Sequence, residues 1–416
     1  MNTEAQDNPV VAAMHESSTD YLAEYDAAPD DQKFPLARKW MDTEPLPFFK
    51  QLREQRPILV TPEATFVTLF NDVRDVLQMP KIFTAQLYEP KMNDYLMRHD
   101  DDAFHEREKA IMQSLLNRND LPHVRNIVAR NAKEILDNAD RKIDIVSEYC
   151  RAVPASLVQD YFGYDHVERK TLIEWSYWTQ YDTFQNHPFN LHTEEKSRFI
   201  VEQHKRVSDE FGKYMAFLTV RRLAAVKADQ AKGVLLCAWY GLVKIVHKLF
   251  GSDKYQVKDD ITSRILRSSF PSEVEFNLIR KGINAGGLLI GAVETTQQAV
   301  AQVIEFFLKD QALLNRAQKA AQLDDPAEFD ALVWEALRFV PISPILFRKA
   351  AQEITIAKGT DHETTIMPGT NVLIATQSAM FDEYCYDNPD QFQPHRNWYH
   401  HFNFGFGAHE CLGKHI

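Results

Sequence analysis

Ten residues near the end of the chain, Phe404-Gly405-Phe406-Gly407-Ala408-His409-Glu410-Cys411-Leu412-Gly413, restrict the possible folds more than any other stretch. Two glycines separated by one phenylalanine permit a tight turn and a close approach of backbone to a flat ligand, because glycine tolerates angles that a Cβ forbids. A cysteine placed just before a helix start faces free backbone N–H groups and the positive end of the helix dipole. Both favour thiolate over thiol. A lone cysteine is most often a buried structural thiol; the pattern around Cys411 sets it apart.

Two upstream blocks also demand a reason. In Gly282–Thr296 (GINAGGLLIGAVETT), four of the chain's 14 glycines fall within ten residues of an apolar helical stretch. Each costs about 1 kcal/mol against alanine in a helix interior. Close approach to a large planar group is one reason for such a cluster, and a tight helix crossing is the other. In Glu335-Ala336-Leu337-Arg338 the carboxylate and guanidinium share one helix face at i and i+3 and can pair. An isolated pair of this kind is usually a solvated surface contact.

The rest of the chain reads as mainly α with small β-sheets. From Lys33 to about Val340 apolar residues recur at three- and four-residue spacing. Ile58–Val67 (ILVTPEATFV) predicts a hairpin around Pro-Glu-Ala, and Ile354–Ala357, Thr364–Ile366 and Asn371–Ala375 predict short strands. A loop rich in Pro, Asn, His and aromatics follows from Phe381 to Gly407. Gly233–Gly251 is nearly all apolar, with Lys244, His247 and Lys248 on one face. It suits a buried amphipathic helix, or a surface that dips into a membrane. Residues 1–32 carry eight Asp/Glu and no Lys or Arg, which predicts a mostly disordered acidic leader and neither a signal peptide nor a transmembrane anchor. The net charge of −12 disfavours wide contact with nucleic acid. Four cysteines in 416 residues, none paired at metal-finger spacing, point to a reducing, cytoplasmic setting.

The ten-residue pattern resembles the haem-binding loop of the cytochrome P-450 superfamily, F-G-x-G-x-H-x-C-x-G, at every fixed position. Thiolate is the ligand that gives haem iron electron density for O–O cleavage. The resemblance covers about Pro35 to Ile416 and is to the soluble bacterial type. Glu335–Arg338 is similar to the family's helix K motif, and Phe392-Gln393-Pro394-His395-Arg396 to its F-x-P-x-R segment. Glu335, Arg338 and Arg396 would then form a structural triad fixing the loop that bears Cys411. Gly291-Ala292-Val293-Glu294-Thr295-Thr296 resembles the core of helix I, with alanine where glycine is usual.

What the resemblance implies is a haem-thiolate fold, an α-rich triangular domain plus a small β-rich part, over residues 33–416. The family's usual C-terminal helix remainder and β hairpin are not in the sequence. Haem b is the expected cofactor and Cys411 its iron ligand, with Ala292, Phe404, Gly405 and Gly413 beside it. His105, Lys109, Arg348 and His409 match positions that answer the propionates. Glu294 and Thr295 would deliver protons. Phe83, Tyr88, Tyr95, Val293, Ile345 and Leu346 would line a substrate pocket, with further candidates among the aromatics of Tyr161–Phe189.

The implied reaction is insertion of one oxygen atom from O2 into an apolar small molecule, with electrons from a ferredoxin- or flavodoxin-like donor. An acidic donor would meet His395, His400, His401, His409 and Lys414. A peroxygenase using H2O2 and a non-catalytic haem-thiolate sensor are the competing readings.

Overall fold

A computed structural model describes Val11 and residues 14–100, 103–239 and 259–416. The chain opens with α1 (Tyr21–Ala27), α2 (Asp30–Thr43) and α3 (Pro45–Gln55). The hairpin β1 (Ile58–Val60) and β2 (Thr65–Val67) leads to α4 (Phe70–Leu77) and β3 (Phe83–Thr84). Helices then dominate: α5 (Ala103–Leu115), α6 (Leu121–Asp137), α7 (Ala152–Asp160), α8 (Arg169–Gln185) and α9 (Glu194–Trp239). After α10 (Ile261–Arg267) come α11 (Leu278–Ala292), α12 (Glu294–Leu308), α13 (Gln311–Ala320) and α14 (Ala327–Phe339). Strands β4 (Leu346–Ala350), β5 (Ile354–Ile356), β6 (Thr364–Ile366) and β7 (Asn371–Ile374) precede the one-turn α15 (Thr376–Ala379).

The main sheet joins the two ends of the chain in the order β1-β2-β7-β4-β3, with β2 and β7 parallel and the other pairs antiparallel. Its centre is β7, whose Val372, Leu373 and Ile374 are fully buried. Alternation along the strand sends Leu373 into one apolar cluster and Val372 and Ile374 into the other. Phe66 and Val67 of β2 divide the same way. One cluster holds α8, α9 and α11 together; the other packs α4, α12, α13 and α14. The sheet is the partition between them.

The expected strands form within one residue of their predicted ends; β3 and β4 add to them. The acidic leader needs correction. Asp20 caps α1 by accepting from the Ala23 N–H at 3.1 Å, and Tyr21, Leu22 and Tyr25 are buried on one face. The Tyr21 hydroxyl donates to the Glu44 carboxylate at 2.6 Å. Burial of this apolar face outweighs the solvation of the surrounding acids. Residues 1–10 lie outside the described residues, as do residues 240–258 and so most of the apolar Gly233–Gly251 segment. Among the described residues, no helix is long and apolar enough to cross a membrane.

Candidate active site

Cys411 sits at the end of a loop held by its own backbone. The Gly405 N–H donates to the Phe402 carbonyl at 2.8 Å and the Cys411 N–H to the Phe404 carbonyl at 2.7 Å. Gly405 and Gly407 have φ of +68° and +73°. At Gly407 a Cβ would also lie 2.8 Å from the Leu77 carbonyl oxygen, so the position admits no side chain without movement. Phe404 meets the Trp334 ring edge-on at 5.7 Å. The Gly413 N–H donates to Cys411 Sγ at 3.3 Å.

One expectation about the cysteine is corrected. Leu412–His415 form turns, not a helix. Burial pushes the thiol up, although solvent reaches the residue; the Gly413 N–H and Lys109 oppose that shift.

Behind the loop, Glu335, Arg338 and Arg396 come together. Arg338 is fully buried and Glu335 nearly so. The Glu335 carboxylate accepts from Arg338 Nε and Nη2 at 3.1 and 2.6 Å, from Arg396 Nε at 3.1 Å and from the Gln393 N–H at 2.9 Å. Arg338 also donates to the carbonyls of Met380, Pro389 and Gln391, and Arg396 to those of Asp387, Asn388 and Gln391. The two guanidinium groups stitch the segment before the cysteine loop onto α14.

The glycine-rich helix breaks where the acid–alcohol pair stands. α11, capped by Asn277, ends at half-buried Ala292, and α12 begins at Glu294; Val293 between them is fully buried. The Thr295 hydroxyl donates to the Gly291 carbonyl at 2.5 Å, a back-bond of the kind that bends helices. Glu294 Oε2 accepts from Nε and Nη2 of Arg151, each at 3.2 Å, while Oε1 is buried with no partner. Burial raises this carboxyl, and Arg151 opposes the rise. Arg151 carries no family motif and was not foreseen. Gly291 faces open space, whereas a side chain on Gly287 would collide with the Tyr95 ring.

His105, Lys109, Arg348 and His409 gather on the other side of the loop. His105 Nε2 lies 3.1 Å from the Ala408 carbonyl, to which Lys109 Nζ also donates at 2.5 Å. The rings of His105 and His409 are 4.8 Å apart. Burial lowers His409 to about 4, and its buried Nε2 stands 3.6 Å from Asp100. Arg348 is buried and donates to the Phe347 carbonyl at 2.9 Å; among the described residues it makes no ion pair. A buried guanidinium without a carboxylate calls for an anion. This donor set fits the propionates of haem.

Tyr95 borders an apolar space of about 430 Å3 between α8, α9, α11 and the loop around Met92. Phe83 is fully buried core, and Tyr88 stacks on Phe347 at 4.8 Å. Val293 and Ile345 pack on the core cluster, and Leu346 lies close to Gly405. The bulky aromatics of α8 bury against one another or against neighbouring rings, so its small Ser176 and Thr179 face the cavity. The stripe His204, Ser208, Phe211 and Met215 supplies the opposite wall. Its helical spacing was the available signal.

The expected basic docking face is also smaller. His401 and His409 point inward, each lowered to about 4 by burial. His395 pairs with Glu328 at 2.7 Å and Lys414 with Glu410 at 2.5 Å.

The family model described as cytochrome P450 matches residues 43–416. Pentalenic acid synthase of Streptomyces avermitilis is 35% identical over 130 residues, covering 31% of this chain and 30% of that protein. Pulcherriminic acid synthase of Bacillus subtilis is 21% identical over 389 residues, covering 89% and 83%. The first curated relatives are thus matched over about a third of their own length. The structure of CYP109E1 from Bacillus megaterium in complex with testosterone superposes with a TM-score of 0.64 at 19% identity, covering 89% of this chain and 86% of that one.

Proposed function

The chain belongs to the cytochrome P450 family, and from that premise we propose that it is a monooxygenase, inserting one oxygen atom of O2 into an apolar small molecule. Haem b, when bound, supplies the oxygen chemistry. Cys411 is read as the iron ligand, with Phe404, Gly405 and Gly413 shaping its loop and Ala292 lying on the opposite side. The observation that carries the reading is the Gly413 N–H aimed at Cys411 Sγ, in a loop braced by the buried Glu335–Arg338–Arg396 cluster.

Each remaining residue has a task its environment suits. Arg348, His105, Lys109 and His409 bind the propionates; the buried Arg348 charge is the strongest of the four. The Thr295 hydroxyl can turn from the Gly291 carbonyl to hold a water at the helix break. Glu294, raised by burial and with Oε1 free of partners, can take up a proton and pass it to that water. The apolar cavity holds the substrate.

Electrons come from an acidic ferredoxin- or flavodoxin-like protein, met by His395, His400 and Lys414 in a setting where few cysteines suit the cytoplasm. Residues 33–416 act as one domain, on which α1 packs. The test is turnover of the haem-loaded protein under 18O2 with a ferredoxin and its reductase, on compounds chosen by spin-state screening. One labelled oxygen per product is expected. Label absent from the product, or product formed only from added H2O2, overturns the reading.

A further inference from the structure

The wall of the 430 Å3 cavity contains one arrangement that apolar packing does not require. Asp182 on α8 is buried, and its Oδ2 accepts from His204 Nδ1 on α9 at 2.7 Å. Oδ1 accepts from Asn186 Nδ2 at 2.7 Å and from Lys91 Nζ at 3.2 Å. Lys91 also donates to the carbonyls of Asp182 and Asn186 at 2.7 and 2.6 Å. Its three ammonium protons are therefore used within the protein, although the side chain borders the cavity.

Asp182 contributes one negative charge to this network and Lys91 one positive charge, and the Asp182 carboxylate occupies His204 Nδ1. A neutral ring that donates from Nδ1 to Asp182 leaves Nε2 as a hydrogen-bond acceptor. That nitrogen is the polar atom His204 has left to offer the cavity it lines. The carboxylate behind the ring holds both its orientation and its tautomer.

We propose that the Asp182–His204 pair selects substrates that are apolar over most of their surface but carry one hydroxyl or N–H donor, which docks on His204 Nε2. His204 is then a specificity-determining residue and Asp182 a positioning residue. The proposal rests on the monooxygenase reading of the same cavity, and it adds a chemical class. Serine and threonine hydroxyls also line this wall, and His204 Nε2 is the polar atom whose orientation a carboxylate fixes, so a ligand without a donor forgoes that bond.

The experiment titrates haem-loaded full-length protein with dodecan-1-ol, 1-methoxydodecane and dodecanoate, reading the haem spin state and, in parallel, equilibrium dialysis. The alcohol is expected to bind about fivefold tighter than the ether, the worth of one neutral hydrogen bond. His204→Leu should erase that gap, and His204→Gln, which keeps an acceptor, should retain most of it. Equal binding of alcohol and ether by the parent, or a gap that survives His204→Leu, overturns the proposal. Tightest binding of dodecanoate, weakened by salt, also overturns it, since the ring would then be a cation. The long-wavelength Soret band of the reduced carbon monoxide complex is recorded for every variant. Its absence from the parent defeats the haem-thiolate reading itself, whereas its presence with no alcohol preference defeats only this one.

Discussion

Glu335→Ala removes the acceptor on which two guanidinium groups and a backbone N–H converge. Glu335 and Arg338 are both buried, and four donors lie within 3.1 Å of the carboxylate. Breaking a buried pair by deleting one partner costs about 3–5 kcal/mol, because the surviving charge stays in the interior. Six bonds to carbonyl oxygens keep Arg338 and Arg396 partly solvated, which places the cost nearer the lower figure. Net stabilities run at about 5–15 kcal/mol, so even about 3 kcal/mol is a large share. The loss falls on the segment leading to Cys411, and haem retention should drop with it. The assay is the guanidinium midpoint together with haem content per polypeptide. Glu335→Gln, which keeps the shape and one acceptor oxygen, should fall between parent and alanine variant. A Glu335→Ala protein with the parent's midpoint and haem content would refute the reasoning.

Thr295→Val keeps the shape of the helix break and removes its hydroxyl. Haem binding should be unchanged, while product formed per reductant consumed should fall several-fold and peroxide should rise; unchanged coupling would sink the proton-delivery role. Acid should destabilise the fold through buried histidines. His187 and His401 are lowered to about 4 by burial, so below the unfolded value near 6.5 the unfolded chain binds more protons. Stability should be level above about pH 6.5 and fall toward pH 4, by up to about 3 kcal/mol for each histidine. His187→Phe should flatten its share of that slope in a pH series of midpoints, and an identical slope would count against it.

What the sequence made legible, and what it hid, follows from how local each signal is. The cysteine loop and the Glu335–Arg338 pair are short, and their spacing alone brings the groups to one place. Hairpin β1–β2 carries its own turn chemistry and was found for the same reason. Strand β4 was not, because Arg348 and Lys349 break the apolar run and its pairing with β7 and β3 makes it a strand. Among the expected pocket residues, Tyr95 borders the cavity between α8, α9 and α11. Large rings gain most from full burial and went to the core, as Phe83 and Tyr88 did. The cavity wall is made by glycines and aliphatic side chains of α11, small residues of α8, Tyr95 and one helical stripe of α9. Arg151 and Glu294 are 143 residues apart, and Lys91 and Asp182 are 91 apart; no local pattern announces such pairs.

The central claim is that Cys411, as thiolate, is the axial ligand of a bound haem. The measurement that tests it most directly is the absorption spectrum of the reduced carbon monoxide complex, parent against Cys411→Ala, each loaded with haem b. The parent should show the long-wavelength Soret band that a thiolate ligand produces, and the variant should lose it while circular dichroism remains that of a folded, helix-rich protein. A parent without the band, or a Cys411→Ala variant that keeps it, would contradict the assignment.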